Sequence, residues 1–197
     1  LERAARELGF KGAELATTAP RGELADPIYR PLLRRARELK MTLFTHPNTI
    51  GAAGRLDCYY LTNLIGNPLE TTIMVANLMF SGALDELSGL KILLAHGGGF
   101  APYQIGRFVH GHKVRPETRA SSASSPHELL KRFYFDTITH DPQALRYLVE
   151  LVGAERIVLG TDSPFDMGDE TPRGTLSRFS PEEVAILRKN ALRLLEE

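Results

Sequence analysis

Three residues of types that bind metal ions stand at equivalent places in this sequence. His46, His96 and Asp162 each close a short apolar run of the kind that forms a buried strand. Imidazole nitrogens and carboxylate oxygens are ligands of zinc and similar ions, and a carboxylate after an apolar run is costly unless it binds a metal or finds polar partners. Each residue alone could be an ordinary packing or turn residue. Together they predict a site for one divalent metal ion.

The residues that follow the two histidines affect backbone conformation in opposite ways: a proline restricts it after His46, and glycines give it more freedom after His96. Pro47 limits the conformation of His46 before it, so we expect that imidazole at a rigid corner between strand and loop. Gly97, Gly98 and Gly99 follow His96 and permit a sharp turn and a close approach to a substrate. The glycines could also serve the turn alone.

Other reactive side chains give weaker predictions. Arg107 and Arg115 flank the loop after His96 and could bind a substrate carboxylate through two parallel hydrogen bonds, or they could be solvated surface residues. His110 and His112 would point about 200° apart on a helix and so cannot share an ion. Cys58 has no neighbouring base in the sequence, which argues against a nucleophilic cysteine.

The elements that must position these residues alternate regularly between strand and helix. Apolar runs predict five strands, at residues 11–16, 41–46, 91–96, 133–139 and 156–162. Helix starts are predicted at Asp26-Pro27 and Asp141-Pro142, and at two capping boxes that begin at Ser125 and Ser180. An apolar helix is predicted around residues 70–82. The predicted buried positions of the helices are Ile28, Leu32, Leu33, Ala36 and Leu39, then Leu145, Leu148, Val149 and Val152, then Val184, Leu187, Ala191, Leu194 and Leu195.

Strands that are apolar runs, separated by helices, indicate a parallel sheet covered by helices. An open doubly wound sheet and part of a (β/α)8 barrel both fit five strands. No G-x-G-x-x-G motif opens a predicted helix, which removes most support for a dinucleotide-binding sheet. His46, His96 and Asp162 at strand ends favour the barrel, whose active sites lie at the carboxyl ends of the strands. Asp136 and His140 also stand near a strand end, and we interpret His140 mainly as helix-cap context.

Composition excludes several classes of partner and compartment. The chain has 197 residues with 24 basic and 24 acidic side chains, so it lacks the basic excess that nucleic acid or an anionic membrane would require. Its most apolar stretch, residues 73–80, is well short of the ~20 residues that span a bilayer. The single cysteine cannot form an internal disulfide, and the first residues do not form a signal segment. We therefore expect a cytoplasmic protein that binds neither nucleic acid nor membrane.

Longer motifs carry a resemblance to a known family. The chain resembles the branch of the amidohydrolase superfamily (amidohydrolase family 2) that contains aminocarboxymuconate semialdehyde decarboxylase and the benzoate-type decarboxylases. The resemblance covers essentially the whole chain. The matching motifs are His46-Pro47, His96-Gly97-Gly98-Gly99 with Pro102 and Gly106-Arg107, His110-Gly111 with Arg115-Pro116, Phe133-Tyr134-Phe135-Asp136, His140-Asp141-Pro142, and Gly160-Thr161-Asp162-Ser163-Pro164-Phe165.

The resemblance implies a distorted (β/α)8 barrel whose fifth, sixth and eighth strands end at His46, His96 and Asp162. It implies that His46 and Asp162 bind one divalent ion, usually zinc, and that His96 and Asp162 are catalytic, with His96 as the acid or base. It implies that Arg107 binds a substrate carboxylate, in some members across a dimer interface. The expected activity is decarboxylation of a small carboxylated substrate, of the aminocarboxymuconate semialdehyde or hydroxybenzoate type, by a homo-oligomer.

One departure from the family keeps alternatives open. Family members carry a His-x-His pair at the end of the first strand, and this sequence has no such pair before His46. Residues 1–197 correspond to the last five of eight units, so we expect them to be the single carboxyl-terminal portion of a barrel domain, taken from a longer protein or from a truncated relative with a weakened metal site. A hydrolase or hydratase on the same scaffold and a catalytically inactive binding subunit are the other hypotheses.

Overall fold

A computed structural model describes residues 1–48 and 54–196, and the loop predicted after the second strand lies partly outside this range. A parallel sheet of five strands organises the chain, and each strand pairs with the next one along the sequence. A doubly wound sheet would reverse its strand order near the middle, whereas a barrel keeps sequence order throughout. The order therefore agrees with the predicted barrel units. The strands are β1 Gly12–Ala16, β2 Thr42–His46, β3 Lys91–Leu94, β4 Tyr134–Asp136 and β5 Ile157–Val158.

Helices connect and cover the strands. The α-helices are α1 Glu2–Arg6, α2 Arg30–Glu38, α3 Asn67–Phe80, α4 Ala83–Glu86, α5 Ala101–Val114, α6 Pro126–Leu130, α7 Pro142–Val152 and α8 Pro181–Glu196. Short 3-10 segments occur at Pro27–Tyr29, His96–Gly98, Pro116–Thr118 and Ala154–Arg156, and a π-helical turn at Thr62–Gly66 leads into α3. An antiparallel pair, Thr18–Ala19 with Gly22–Glu23, follows β1.

The later strands are shorter than predicted. Pairing stops at Leu94 and at Val158, although the apolar runs continue toward His96 and Asp162. Both of these site residues have left-handed backbone angles, with φ of 55° and 54° respectively. A left-handed residue cannot continue an extended strand. The chain therefore leaves the sheet at the positions where the sequence changes from apolar to metal-binding residues.

Two of the four predicted helix starts have the expected side-chain caps. Asp141 accepts hydrogen bonds from the N–H groups of Gln143 and Ala144, both at 2.8 Å. Ser180 and Glu183 form the reciprocal capping box: the Glu183 N–H donates to the Ser180 hydroxyl at 3.2 Å, and the Ser180 N–H donates to the Glu183 carboxylate at 2.8 Å. Local sequence chemistry therefore predicted these two starts correctly.

The helical segments predicted to begin after Asp26 and Ser125 do begin there, at Pro27 and Pro126, but neither side chain makes the predicted capping bond. Asp26 accepts from the Glu23 N–H at 2.9 Å, closing the turn before the helix, and a 3-10 segment precedes α2. The side chain of Ser125 makes no capping bond. The 3-10 segment also explains a second error, since Ile28 lies within it and is 51% exposed where burial was predicted.

The core between sheet and helices contains two of the positions predicted for α2, Leu33 and Ala36, which are fully buried. Leu32 and Leu39 are only partly buried. All four positions predicted for α7 are buried. Leu195 of α8 was predicted to be buried and is 42% exposed. It lines a cavity together with residues of the sheet, among them Phe44 of β2 and Leu93 of β3.

The end of α8 crosses the amino-terminal end of the sheet. The Leu194 carbonyl accepts from the Thr42 hydroxyl of β2 and from the Lys91 ammonium of β3, each at 3.1 Å. This underside is opposite the strand ends that carry the predicted site. Over residues 1–48 and 54–196, the structure contains no helix with the length and apolar character needed to cross a membrane.

Candidate metal centre

Two imidazoles and a carboxylate meet at the carboxyl ends of three strands. His46 is the last residue of β2, His96 follows β3, and Asp162 follows β5. The Nε2 atom of His46 lies 3.8 Å from Asp162 Oδ1, and Nε2 of His96 lies 3.5 Å from Asp162 Oδ2. One ligand atom from each residue lies within 4.8 Å of the others. The structure therefore brings together the three residues that the sequence singled out.

A cavity of about 450 Å³ with both polar and apolar lining opens beside His46 and Asp162. Three quarters or more of each of the three side chains is buried. The ring of His96 meets that of His46 edge-on at a centroid distance of 5.0 Å, and the ring of Phe165 is nearly parallel to that of His46 at 6.2 Å. These rings limit the rotation of the His46 imidazole and hold it toward the cavity.

The backbone at the site is held in a costly conformation. A left-handed angle at a residue other than glycine costs roughly 1–2 kcal/mol, and both His96 and Asp162 adopt it. Such conformations persist when the surrounding structure enforces them, and they are concentrated at functional sites. The left-handed conformations of His96 and Asp162 are therefore of the kind found at functional sites, and they also end the two strands' apolar runs in turns.

The electrostatics favour a neutral His46. Burial lowers the pKa of the His46 imidazole, the nearby His96 lowers it further, and Asp162 acts in the opposite direction. A neutral imidazole has a free lone pair, which is the form that binds a cation. His96 has a different distinguishing feature: its Nδ1 atom is buried and has no hydrogen-bond partner among the described residues.

The donor set fits a divalent metal ion. Zinc forms bonds of about 2.0–2.1 Å with imidazole nitrogens and carboxylate oxygens, so neighbouring ligand atoms of a tetrahedral site lie roughly 3.3 Å apart. The separations of 3.5 and 3.8 Å between Asp162 and the two imidazoles are close to that spacing. Small side-chain movements would therefore bring these atoms around one ion.

Asp136 is hydrogen-bonded to the turn that carries His96, a direct link to the site that its sequence context did not indicate. Its carboxylate is 7% exposed and accepts hydrogen bonds from the backbone N–H groups of His96, Gly97 and Ile138, at 2.9, 2.7 and 3.0 Å. Burial raises the pKa of this carboxyl, while the three donors favour its ionised form. The sequence signal was a carboxylate closing an otherwise apolar strand, the same signal that identified Asp162.

The remaining candidates lie away from the centre. Arg107 is exposed on α5 and does not line the cavity beside His46. Arg115 pairs with Glu117 on the surface, and Cys58 is exposed. The helix predicted around His112 is present as α5; that imidazole has Nδ1 3.1 Å from the Thr118 carbonyl oxygen.

The fold and the site together define an α/β protein of barrel units with metal-binding side chains at its carboxyl strand ends. A protein-family model described as amidohydrolase matches residues 1–196. The chain therefore belongs to the amidohydrolase family, as the sequence motifs predicted.

Named relatives place the chain more closely within that family. It is 35% identical over 193 residues to the 2-amino-3-carboxymuconate-6-semialdehyde decarboxylase of Dictyostelium discoideum, covering 98% of this chain and 54% of that protein. The enzyme of the same name from Caenorhabditis elegans is 36% identical over 165 residues, covering 81% of this chain and 41% of that protein. The chain thus spans about half the length of these curated relatives.

Solved structures show the same architecture. A 2,6-dihydroxybenzoate decarboxylase complexed with 2,6-dihydroxybenzoate superposes with a TM-score of 0.85 at 26% identity, covering 100% of this chain and 65% of that one. A dihydroxybenzoic acid decarboxylase from Polaromonas sp. JS666, with bound manganese and the inhibitor 2-nitroresorcinol, gives 0.84 at 23% identity, covering 99% and 63%. The predicted barrel architecture is confirmed, and the chain corresponds to part of it.

Proposed function

We propose that this chain is the single carboxyl-terminal portion of a (β/α)8 barrel domain in a metal-dependent decarboxylase that acts on a small carboxylated substrate. The observation that carries the proposal is the meeting of His46, His96 and Asp162 at the carboxyl ends of three parallel strands. The decarboxylase names of the relatives support the reaction. The substrate class is that of aminocarboxymuconate semialdehyde or a hydroxybenzoate.

In this proposal His46 and Asp162 hold one divalent ion, and zinc suits their nitrogen and oxygen atoms. When bound, the ion supplies positive charge beside the substrate, which favours the negative charge that develops as CO₂ leaves. The side chains of His46, His96 and Asp162 are each more than three quarters buried. Burial of this kind strengthens electrostatic interactions at the site.

His96 is the proposed acid and base. Decarboxylation breaks a carbon–carbon bond and leaves the electron pair on the substrate carbon, which must then take up a proton. The Nε2 atom of His96 faces Asp162 at 3.5 Å and is therefore beside any substrate held at the centre. An imidazole can transfer a proton near neutral pH, as this step requires.

Arg107 is the proposed substrate-binding arginine, acting from a second copy of the chain. Its exposed position on α5, away from the cavity beside His46, supports a role across a homodimer interface. A guanidinium can bind a carboxylate through two parallel hydrogen bonds.

We place the protein in the cytoplasm, since its one cysteine, Cys58, cannot form an internal disulfide.

Metal analysis tests the site. The purified chain is stripped with a chelator and titrated separately with zinc and manganese, and bound metal is counted per chain. We expect one ion per chain, with zinc bound more tightly, and loss of the ion in Asp162→Ala and His46→Ala. His110→Ala, an exposed histidine of α5, is the matched control and should bind like the wild type. Wild-type binding in Asp162→Ala would refute the assigned ligands.

Product analysis tests the reaction. Candidate hydroxybenzoates and carboxymuconate semialdehydes are incubated with the metal-loaded protein, and product masses separate loss of CO₂ from gain of water. We expect CO₂ release that is abolished in Asp162→Ala and His96→Ala and retained in His110→Ala. Full activity in both site variants, or products that gain water, would exclude the proposed decarboxylase.

A further inference from the structure

The carboxylate of Asp136 binds the turn that carries His96. One oxygen accepts from the His96 N–H at 2.9 Å, and the other accepts from the N–H groups of Gly97 and Ile138 at 2.7 and 3.0 Å. Two of these three donors belong to the β3 turn, some 40 residues away in sequence. Asp136 therefore joins the ends of β3 and β4 at the candidate metal centre.

The imidazole of His96 lacks the partner that usually orients such a ring. A histidine at a metal site ordinarily donates its other ring N–H to a carboxylate, a carbonyl or water, which fixes the ring. Nδ1 of His96 is buried and has no hydrogen-bond partner in the described residues. The ring is therefore oriented through its own backbone, where Asp136 binds.

The turn leaves the backbone little freedom to shift. A β-carbon at Gly97 would lie 2.8 Å from the Thr139 side chain, and one at Gly98 would lie 2.7 Å from the Phe135 ring. His96 and both of these glycines have positive φ angles. Because this turn is enclosed, we expect a change in its hydrogen bonding to displace His96 and not to be absorbed by movement elsewhere in the loop.

We propose that Asp136 is the positioning residue of the metal centre: its buried carboxylate holds the backbone of His96 and so aims the His96 imidazole at Asp162, a proposed ligand of the ion. This inference rests on the proposed metal site. In this role Asp136 acts through the main chain of His96.

The substitution Asp136→Asn separates this role from simple packing. The amide keeps the shape of the carboxylate but has only one oxygen, which we expect to remain with the two donors Gly97 and Ile138. Its NH₂ group would then face the His96 N–H, so a donor would oppose a donor. The variant should therefore release His96 selectively.

Amide hydrogen exchange is the first measurement and needs no metal. In the wild-type chain the N–H groups of His96 and Gly97 should be protected. In Asp136→Asn, exchange at His96 should accelerate by about 10–100-fold, while Gly97 keeps most of its protection. Rapid exchange of both the His96 and Gly97 amides in the wild-type chain would by itself overturn the inference.

Metal affinity is the second measurement. His96 Nε2 lies 3.5 Å from Oδ2 of the proposed ligand Asp162, so His96 is an outer partner of that ligand. Disturbing such a partner typically weakens metal binding about 10–100-fold, and we expect that loss of zinc affinity for Asp136→Asn in a chelator competition. Asn190→Ala is the matched control: Asn190 is buried, and its amide donates to the Ala154 and Ile157 carbonyls at the opposite end of β5. It should lower thermal stability and leave the zinc affinity of the folded chain unchanged.

The outcomes separate this inference from the proposed function. A wild-type chain that binds no ion contradicts the metal site itself. A wild type that binds zinc, with equal affinity in Asp136→Asn, overturns the positioning role alone. Equal affinity losses in Asp136→Asn and Asn190→Ala would also overturn it, because the effect would then follow general destabilisation.

Discussion

Gly98 offers the sharpest test of the packing beneath the metal centre. Its φ is 79°, and a β-carbon there would lie 2.7 and 2.8 Å from two atoms of the Phe135 ring. Contacts this short require the ring or the turn to move. Phe135 is fully buried in β4, so the ring has no free space to enter.

Two costs combine when Gly98 becomes alanine. The left-handed backbone costs roughly 1–2 kcal/mol for a residue with a β-carbon, and overpacking a filled core costs about 1–3 kcal/mol. Together they predict a loss of about 2–5 kcal/mol in the free energy of unfolding. Domains typically have about 5–15 kcal/mol in total, so Gly98→Ala should weaken the fold severely while Phe135 and His96 shift.

Urea unfolding followed by circular dichroism measures this loss, and Gly106→Ala is its control. Gly106 lies in α5, and a β-carbon there would meet no atom within 4 Å. That alanine should stabilise the chain by up to about 1 kcal/mol through helix propensity. A Gly98→Ala chain within about 0.5 kcal/mol of the wild type would refute the tightly enclosed turn.

Two further predictions concern the helices. Leu33 of α2 is fully buried, and Ile28 of the 3-10 segment before it is half exposed. Leu33→Ala should therefore cost about 2–5 kcal/mol and Ile28→Ala less than about 1 kcal/mol in urea melts; equal losses would contradict the assigned burial of these two side chains. Hydrogen bonds from the Arg146 guanidinium lower the pKa of Glu183 from 4.5 to about 2. Because the folded pKa is lowered, the stabilisation is complete above the ordinary value and is lost as pH falls toward the folded value. The urea concentration at the unfolding midpoint should therefore fall less between about pH 5 and about pH 3 in Glu183→Gln than in the wild type. An equal fall in both chains would argue against the ion pair between Arg146 and Glu183.

The sequence predicted the site because its chemistry is concentrated at strand ends. Parallel strands end on one edge of their sheet, so His46, His96 and Asp162 could be placed together without knowing any distance. The same argument could not fix where the strands stop. The strands end at Leu94 and Val158, before the apolar runs end. The left-handed angles at His96 and Asp162 beyond them are ones that residues other than glycine rarely adopt, and no local sequence pattern predicts them.

The contacts of Asp136 illustrate what remained beyond prediction. The sequence places this carboxylate near a strand end, but its three donors come from two different loops. Which N–H groups point at it depends on the glycine turn after β3. Similarly, Asp26 looked like a helix cap, and only the structure shows it accepting from the preceding Glu23 N–H.

The bond between Thr42 and the Leu194 carbonyl has a consequence for how the protein is made. It joins residues 152 positions apart, so the underside of β2 and β3 stays uncovered on the ribosome until α8 is synthesised. At about 5–20 residues per second, the roughly 100 residues between β3 and the end of α8 take on the order of 5–20 s. During that interval the amino-terminal ends of β2 and β3 lack the contacts that the end of α8 makes with them in the finished fold. The metal-binding ends of the strands and their opposite ends are therefore completed at different times.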